Sequence, residues 1–132
     1  MITHTSKNSD KLLGRDGEDF GARFLESRGH TLLARNWRGR YGELDLVSKD
    51  GDTLVFTEVK TRRGQKYGTP QSAVTPAKQK KLCRAALEFI TAGGYGDCNV
   101  RFDVLALIRG KDGFQPAWFV NAFEFDAGPG WY

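Results

Sequence analysis

The sequence has no long apolar run and few cysteines or histidines, and each shortage excludes a class of protein. No stretch of about 18 apolar residues is present, so no membrane-spanning helix is expected. Residues 1–11 are polar and lack the apolar centre of a signal peptide. Cys83, Cys98, His4 and His30 do not have the spacing of a zinc site, and without an export signal the cysteines are expected to be reduced. These absences predict a cytoplasmic protein with no disulfide framework.

Positive charge is concentrated in the middle of the chain. The 132 residues include 20 Lys and Arg and 16 Asp and Glu, a formal net charge of +4. Residues 35–84 contain 12 basic and 5 acidic residues, a net charge of +7, whereas the rest of the chain has 8 and 11, a net charge of −3. A basic field is typical of proteins that bind polyanions, although an ordinary solvated surface gives the same totals.

The pattern of apolar residues predicts an α/β domain with the element order αβββαββ. The predicted helices and strands lie, in that order, at residues 12–28, 31–38, 43–48, 53–60, 75–92, 100–108 and 118–125. Thr75 and Pro76 are residue types preferred at the N-cap and first position of a helix, so they mark the start of the second helix. No repeat or linker divides the chain, and one domain is expected over residues 12–126, between tails at 1–11 and 127–132.

The first predicted helix contains an unusual number of glycines. Gly14, Gly17 and Gly21 each destabilise a helix by roughly 1 kcal/mol relative to alanine. Their presence predicts that this helix approaches another element or a ligand closely. Glu18 lies among them, at the edge of the apolar face of the helix.

The second and third predicted strands carry charged residues among apolar ones. Asp45 lies in the second strand, and Glu58 and Lys60 lie in the third. A fully buried strand is usually almost wholly apolar, and a buried carboxylate is costly unless a partner such as a metal ion pairs with it. Because side chains alternate along a strand, Glu58 and Lys60 share one face.

The turn between these strands sets the pairing of the carboxylates. If Asp50 and Gly51 are the two turn residues, Asp45 is opposite Phe56. Asp45 and Glu58 are then diagonal neighbours on one face, about 7–8 Å apart at the backbone and within reach of each other's side chains.

Two carboxylates and a lysine on one face suit a hard cation such as Mg²⁺, or Mn²⁺ in its place. Such an ion can polarise a phosphate and lower the pKa of a bound water. Lys60 could orient that water or stabilise charge on the phosphate, and Glu18 could reach the ion from the first helix. The alternative is a cluster of ion pairs, in which Glu58 pairs with Lys60 and Asp45 with a nearby arginine.

These residues resemble the motif of the PD-(D/E)XK nuclease superfamily. Leu44-Asp45 corresponds to the first element, without its proline, and Glu58-Val59-Lys60 corresponds to the second. The chain is more closely similar to the YraN-like family of uncharacterised bacterial proteins, which is related in fold to archaeal Holliday-junction resolvases. The segments that carry this resemblance are residues 14–18, 36–38, 42–47, 56–62, 78–81 and 101–104.

The resemblance implies a restriction-endonuclease-like, three-layer core in which helices flank a mixed sheet. By the superfamily's pattern, Asp45 and Glu58 bind the metal, the Val59 carbonyl and Glu18 are further ligands, and Lys60 is catalytic together with the three carboxylates. The expected activity is a metal-dependent DNA endonuclease acting on branched or single-stranded DNA. A homodimer is expected by analogy with resolvases. Two alternatives are a protein that binds nucleic acid without cutting it, and a protein-interaction domain with a vestigial site.

Basic residues near the motif are candidates for binding nucleic acid. They are Arg38, Arg40, Arg62, Arg63, Lys66, Lys78 and Lys81. Gln79 is a further candidate, because it falls on the inward side of the second helix. The alternatives are a solvated loop for residues 62–66 and a cap-region amide for Gln79. Asp103 lies in an apolar strand, and a structural role is expected for it, paired with Arg101 or Lys60.

Overall fold

Two helices flank a five-stranded mixed sheet in the computed structural model, which describes residues 6–64 and 74–126. The elements are α1 (Ser6–Ser27), β1 (Thr31–Arg38), β2 (Glu43–Asp50), β3 (Thr53–Arg63), α2 (Pro76–Gly93), β4 (Asn99–Gly110) and β5 (Gly113–Phe123). The predicted α/β class and the order αβββαββ are confirmed. Neither helix is long and apolar enough to cross a membrane.

The strands lie in the order β1-β2-β3-β4-β5. Every neighbouring pair is antiparallel except β3 and β4, which run parallel from Thr53 opposite Asn99 to Arg63 opposite Arg109. A parallel pair needs a crossover connection, and α2 lies in that connection. The strand that carries Glu58 and Lys60 is therefore the central one.

Each helix covers a different face of the sheet, which gives the three layers expected from the resemblance. The apolar face of α2 is buried against the sheet, where Phe89 contacts the ring of Phe56. On the other face Leu25 of α1 packs with Leu46 of β2. Phe24 of α1 extends this second contact towards the edge of the sheet.

Three element boundaries differ from the predicted ones by three residues or more. Helix α1 begins at Ser6, not at residue 12, because backbone hydrogen bonds extend a helix through polar residues that give no apolar signal. Strand β5 begins at Gly113, not at residue 118, and it contains Pro116, which is tolerated because β5 is an edge strand. Strand β3 continues to Arg63, not to residue 60.

The predicted cap of α2 is confirmed, since Thr75 accepts a hydrogen bond from the backbone N–H of Lys78. The predicted C-terminal tail and Lys66 lie outside the described residues.

The predicted turn between β2 and β3 is wrong by one position. Asp50 pairs with Thr53, so Gly51 and Asp52 form the turn. Gly51 has a φ of 60°, and neither Asp50 nor Asp52 has a positive φ. This pattern is that of a type II′ turn, in which glycine takes the first turn position, whereas a turn of Asp50 and Gly51 in the type I′ form needs a positive φ at both residues.

The corrected register brings the two carboxylates closer together. The ladder runs from Asp50 opposite Thr53 to Leu46 opposite Thr57, so Asp45, the next residue, lies beside Glu58 and not opposite Phe56. Because the pairing moves by two residues, the paired side chains of residues 46–50 keep their faces.

Buried Asp103 joins β4 to β5. Its carboxylate accepts hydrogen bonds from Arg101 Nε at 2.9 Å, Arg101 Nη2 at 3.0 Å, Trp118 Nε1 at 3.0 Å and the backbone N–H of Asn121 at 2.9 Å. The β4–β5 ladder is irregular at this point, between Phe102 and Val104. The side chain of Asp103 thus satisfies a backbone donor at the irregularity, and the predicted structural role and the pairing with Arg101 are confirmed.

The glycines of α1 are explained by close packing at two of the three positions. A Cβ at Gly17 would overlap the Thr61 side chain of β3. A Cβ at Gly21 would lie 3.1 Å from Leu46 Cδ1, whereas nothing lies within 4 Å of the same position at Gly14. The predicted close approach is confirmed for Gly17 and Gly21, and its partner is the sheet.

Gly17→Ala is expected to lower the free energy of unfolding by about 1–3 kcal/mol, because the added methyl group must displace Thr61 or shift the helix. Gly14→Ala is the matched control. It is expected to raise the free energy of unfolding by up to about 1 kcal/mol, since it gains helix propensity without a clash. Urea denaturation followed by circular dichroism measures both changes, and an equal effect of the two substitutions would contradict this packing.

Candidate active site

The alternation of side chains along β2 is interrupted at Asp45. Leu44 and Val47 belong to the apolar cluster under α2, whereas Leu46 belongs to the cluster under α1. In a regular strand Leu44 and Leu46 would share a face. The neighbouring strand is also irregular here, since Asn36 has a φ of 50°. This break lets a single carboxylate meet side chains from both helical layers.

The Asp45 carboxylate is held by the backbone of β3 and faces a second acid. The N–H of Val59 donates to Asp45 Oδ2 at 2.9 Å. Burial, and then the charge and hydrogen bond of Glu58, raise the pKa of Asp45 to about 8, although the Val59 N–H opposes this change. Without a cation the two carboxylates are thus crowded enough that Asp45 holds a proton near neutral pH.

Two more carboxylates reach Asp45 from its other neighbours. Oxygen atoms of Glu18, Glu43 and Asp45 lie within 4.8 Å of one another. Burial raises the pKa of Glu18, and the nearby Glu43 adds to this, while a hydrogen bond with Asn36 opposes it. Asp45 is therefore the acid that links Glu18 and Glu43 to Glu58.

This set of donors fits a hard divalent cation. All the side-chain donors are carboxylate oxygens, which suit Mg²⁺ and Mn²⁺ and do not select zinc or copper. Oxygen ligands of one such ion, at about 2.0–2.6 Å from it, are at most about 4–5 Å apart, so the cluster at Asp45 can converge on one ion. A cation would also remove the like-charge crowding that raises the pKa of Asp45. The cluster that would hold it is Glu18, Glu43 and Asp45, whereas Glu58, which lies beside Asp45, and the Val59 carbonyl stay predicted ligands.

Two lysines compensate Glu58, whose side chain is only 6% exposed. Lys78 Nζ lies 3.0 Å from Glu58 Oε2, and Lys60 Nζ lies 3.8 Å from the same atom. Burial, followed by the contact with Lys78, lowers the pKa of Lys60. Burial also acts to lower the pKa of Lys78, but the charge and hydrogen bond of Glu58 outweigh it, and the pKa is raised. Lys78 is thus the stronger partner of Glu58, and Lys60 is the cation with the weaker hold on its proton.

An open groove of about 550 Å³ gives access to these groups. This volume falls within the usual range of ligand-binding clefts. The lining residues come from the loop before β2, from the facing strands and from the first turns of α2: Tyr41, Gly42, Glu43, Asp45, Glu58, Thr75, Ala77, Lys78, Lys81 and Leu82. Glu43, Asp45 and Glu58 therefore line a cleft whose α2 side carries Lys78 and Lys81.

Only part of the predicted nucleic-acid surface lines this groove. Lys78 and Lys81 do so. Arg38 is exposed and pairs with Glu43 at 2.8 Å, and the backbone N–H of Arg40 donates to Glu88. Arg62 and Arg63 are exposed at the end of β3. Gln79 is placed as a cap-region amide, the alternative to a nucleic-acid contact. Its Nε2 donates to the Val74 carbonyl at 3.0 Å, at the start of α2.

Sequence reasoning missed two contributions to the site. Glu43 was not among the predicted ligands. Lys78 was predicted only as a contact for nucleic acid, and no sequence spacing relates it to Glu58, twenty residues earlier. The structure brings Glu18, Asp45, Glu58 and Lys60 into one region, as the resemblance implied, and adds these two.

Residues 17–107 of the chain match the family described as "Uncharacterised protein family UPF0102". A UPF0102 protein of Geobacter sulfurreducens is 49% identical over 125 residues, which cover 94% of this chain and 98% of the relative. A UPF0102 protein of Rhodococcus opacus is 50% identical over 104 residues, 79% of this chain and 87% of the relative. One of Syntrophus aciditrophicus is 41% identical over 115 residues, 87% of this chain and 91% of the relative.

Proposed function

The chain belongs to the UPF0102 family, the YraN-like family predicted from its motifs, and we propose that it is a metal-dependent DNA endonuclease. The observation that carries the proposal is the convergence of Asp45, Glu58 and Lys60 beside an open groove. The resemblance of these three residues to the PD-(D/E)XK motif supports the same activity. The net charge of +7 in residues 35–84 supports a polyanionic substrate.

Each group has a part in phosphodiester hydrolysis. A bound Mg²⁺ would supply Lewis acidity to a phosphate oxygen and to a water molecule. Asp45 and Glu58 would hold the cation together with Glu18 and Glu43. Lys60 orients the attacking water and stabilises negative charge that develops on the phosphate. As the water oxygen bonds to phosphorus, one P–O ester bond breaks, and a proton passes from the water to the leaving oxygen.

The contacts of Glu58 favour a second candidate. Lys60 at 3.8 Å forms the ion pair of the alternative interpretation, and Lys78 at 3.0 Å adds a second pair that was not predicted. A protein that binds nucleic acid without cutting it would keep these pairs permanently. Such a protein would bind DNA in a salt-dependent manner, through its basic residues and with no need for a divalent cation.

The test is a cleavage assay on branched, flapped and single-stranded DNA with Mg²⁺, Mn²⁺ or a chelator. We expect cleavage that requires the cation and is absent from Asp45→Asn prepared in parallel. Equal cleavage by the two proteins would indicate a contaminating nuclease and contradict the proposal. Salt-sensitive binding without cleavage under any cation would favour the non-catalytic candidate. Sedimentation of the same sample tests the homodimer that a resolvase-like enzyme would use on two strands.

A further inference from the structure

We infer that Lys78 is an exchangeable counterion, which pairs with Glu58 in the metal-free protein and transfers to a DNA phosphate when a divalent cation binds Glu58. The inference rests on the proposed function, because it states how the cation and the substrate are coupled within the same groove. It assigns Lys78 a role that its position in the sequence does not suggest.

The geometry singles out Lys78 among the basic residues that line the groove. Its Nζ is 3.0 Å from Glu58 Oε2, within ordinary hydrogen-bond distance, and Lys60 is 0.8 Å further away. The side chain of Lys78 is 45% exposed, against 23% for Lys60. Lys78 is thus the cation that can leave Glu58 and turn into the groove, while Lys60 is confined beside it.

The position of Lys78 on α2 favours this exchange. Thr75 caps the helix and Lys78 follows three residues later, so the lysine lies in the first turn. A cation is disfavoured at the positive end of a helix, and a phosphate is favoured there. Thr75, Ala77 and Lys81 line the same groove, so a phosphate that enters it meets Lys78 on the side of α2.

Shared use of Glu58 has a thermodynamic consequence. Lys78 and a divalent cation compete for one carboxylate, so the lysine weakens cation binding when no substrate is present. A phosphate that attracts Lys78 removes the competitor and strengthens cation binding. By linkage, the cation must strengthen phosphate binding by the same factor.

Calorimetric titration with Mn²⁺ tests the inference without an activity measurement. Lys78→Met is expected to bind Mn²⁺ about 3–10-fold more tightly than the wild type, as expected for loss of a partly exposed ion pair. Lys80→Met is the matched control, because it removes the same charge from an exposed position of α2 outside the groove. Its Mn²⁺ affinity is expected to stay close to that of the wild type.

A second titration adds an uncleavable phosphorothioate DNA oligonucleotide, with the oligonucleotide alone as the reference. The wild type and Lys80→Met are expected to bind Mn²⁺ more tightly in its presence, and Lys78→Met is expected to show little further gain. If the wild type binds Mn²⁺ but Lys78→Met binds it no more tightly, or if Lys80→Met gives the same increase, the inference is wrong and the proposed function stands. If neither the wild type nor Lys78→Met binds Mn²⁺, the inference and the proposed function are both overturned.

Discussion

Lys60→Met is expected to reduce the rate of DNA cleavage by about a thousandfold without weakening Mn²⁺ binding. The cation would be held by carboxylates, and Lys60 is not one of its ligands; the Lys60 Nζ is 3.8 Å from Glu58 Oε2. Its loss removes a positive charge from the reacting phosphate and a donor to the attacking water, which are needed in the transition state. Methionine keeps the length of the side chain and so preserves its packing.

Asp45→Asn provides the contrast for this prediction. It replaces the central carboxylate by an amide, whose oxygen can still accept the hydrogen bond from Val59, so the fold is retained. We expect it to lose both Mn²⁺ binding and cleavage. Single-turnover cleavage rates and calorimetry, measured on both variants, distinguish catalysis from cation binding. Wild-type cleavage by Lys60→Met, or loss of Mn²⁺ binding equal to that of Asp45→Asn, would refute the catalytic role of Lys60.

Asp103→Ala is expected to lower the free energy of unfolding by about 3–5 kcal/mol, a large part of the stability of a domain of this size. Asp103 is fully buried, and alanine would leave Arg101, the Trp118 indole N–H and the Asn121 N–H without their acceptor. The Arg101 charge would then be partly buried, with the contact to Asp50 at 3.5 Å as its remaining ion pair among the described residues. The expected cost follows from removing one member of a buried charged pair.

Urea denaturation measures this cost. Asp112→Ala is the control, because Asp112 lies exposed in the turn between the same two strands. This substitution is expected to change the free energy of unfolding by less than about 0.5 kcal/mol. Asp103→Ala should still bind Mn²⁺ in the absence of urea, since Asp103 is hydrogen-bonded to Arg101, Trp118 and Asn121, which are not residues of the site. A change below about 1 kcal/mol would contradict the structural role of Asp103.

Local signals in the sequence were sufficient for most of the fold. The order of helices and strands follows from apolar periodicity, and the start of α2 follows from Thr75 and Pro76, because both depend on interactions within a few residues. The turn was placed wrongly because Asp50-Gly51 fits a type I′ hairpin turn. The strands adopt instead a type II′ turn that starts one residue later, at Gly51. The choice between the two depends on which pairing best buries both strands, and no local pattern contains that information.

The sequence by itself determined the family, the element order and the presence of Asp45, Glu58 and Lys60 on neighbouring strands. These depend on residue identity and on the two-residue period of a strand. The tertiary structure decided that Asp45 lies beside Glu58 and accepts the Val59 N–H, that Glu43 joins Glu18 at Asp45, and that Lys78 of α2 pairs with Glu58. Such contacts join residues from separate elements, and their distances are set by how the helices pack on the sheet and by the break in alternation at Asp45.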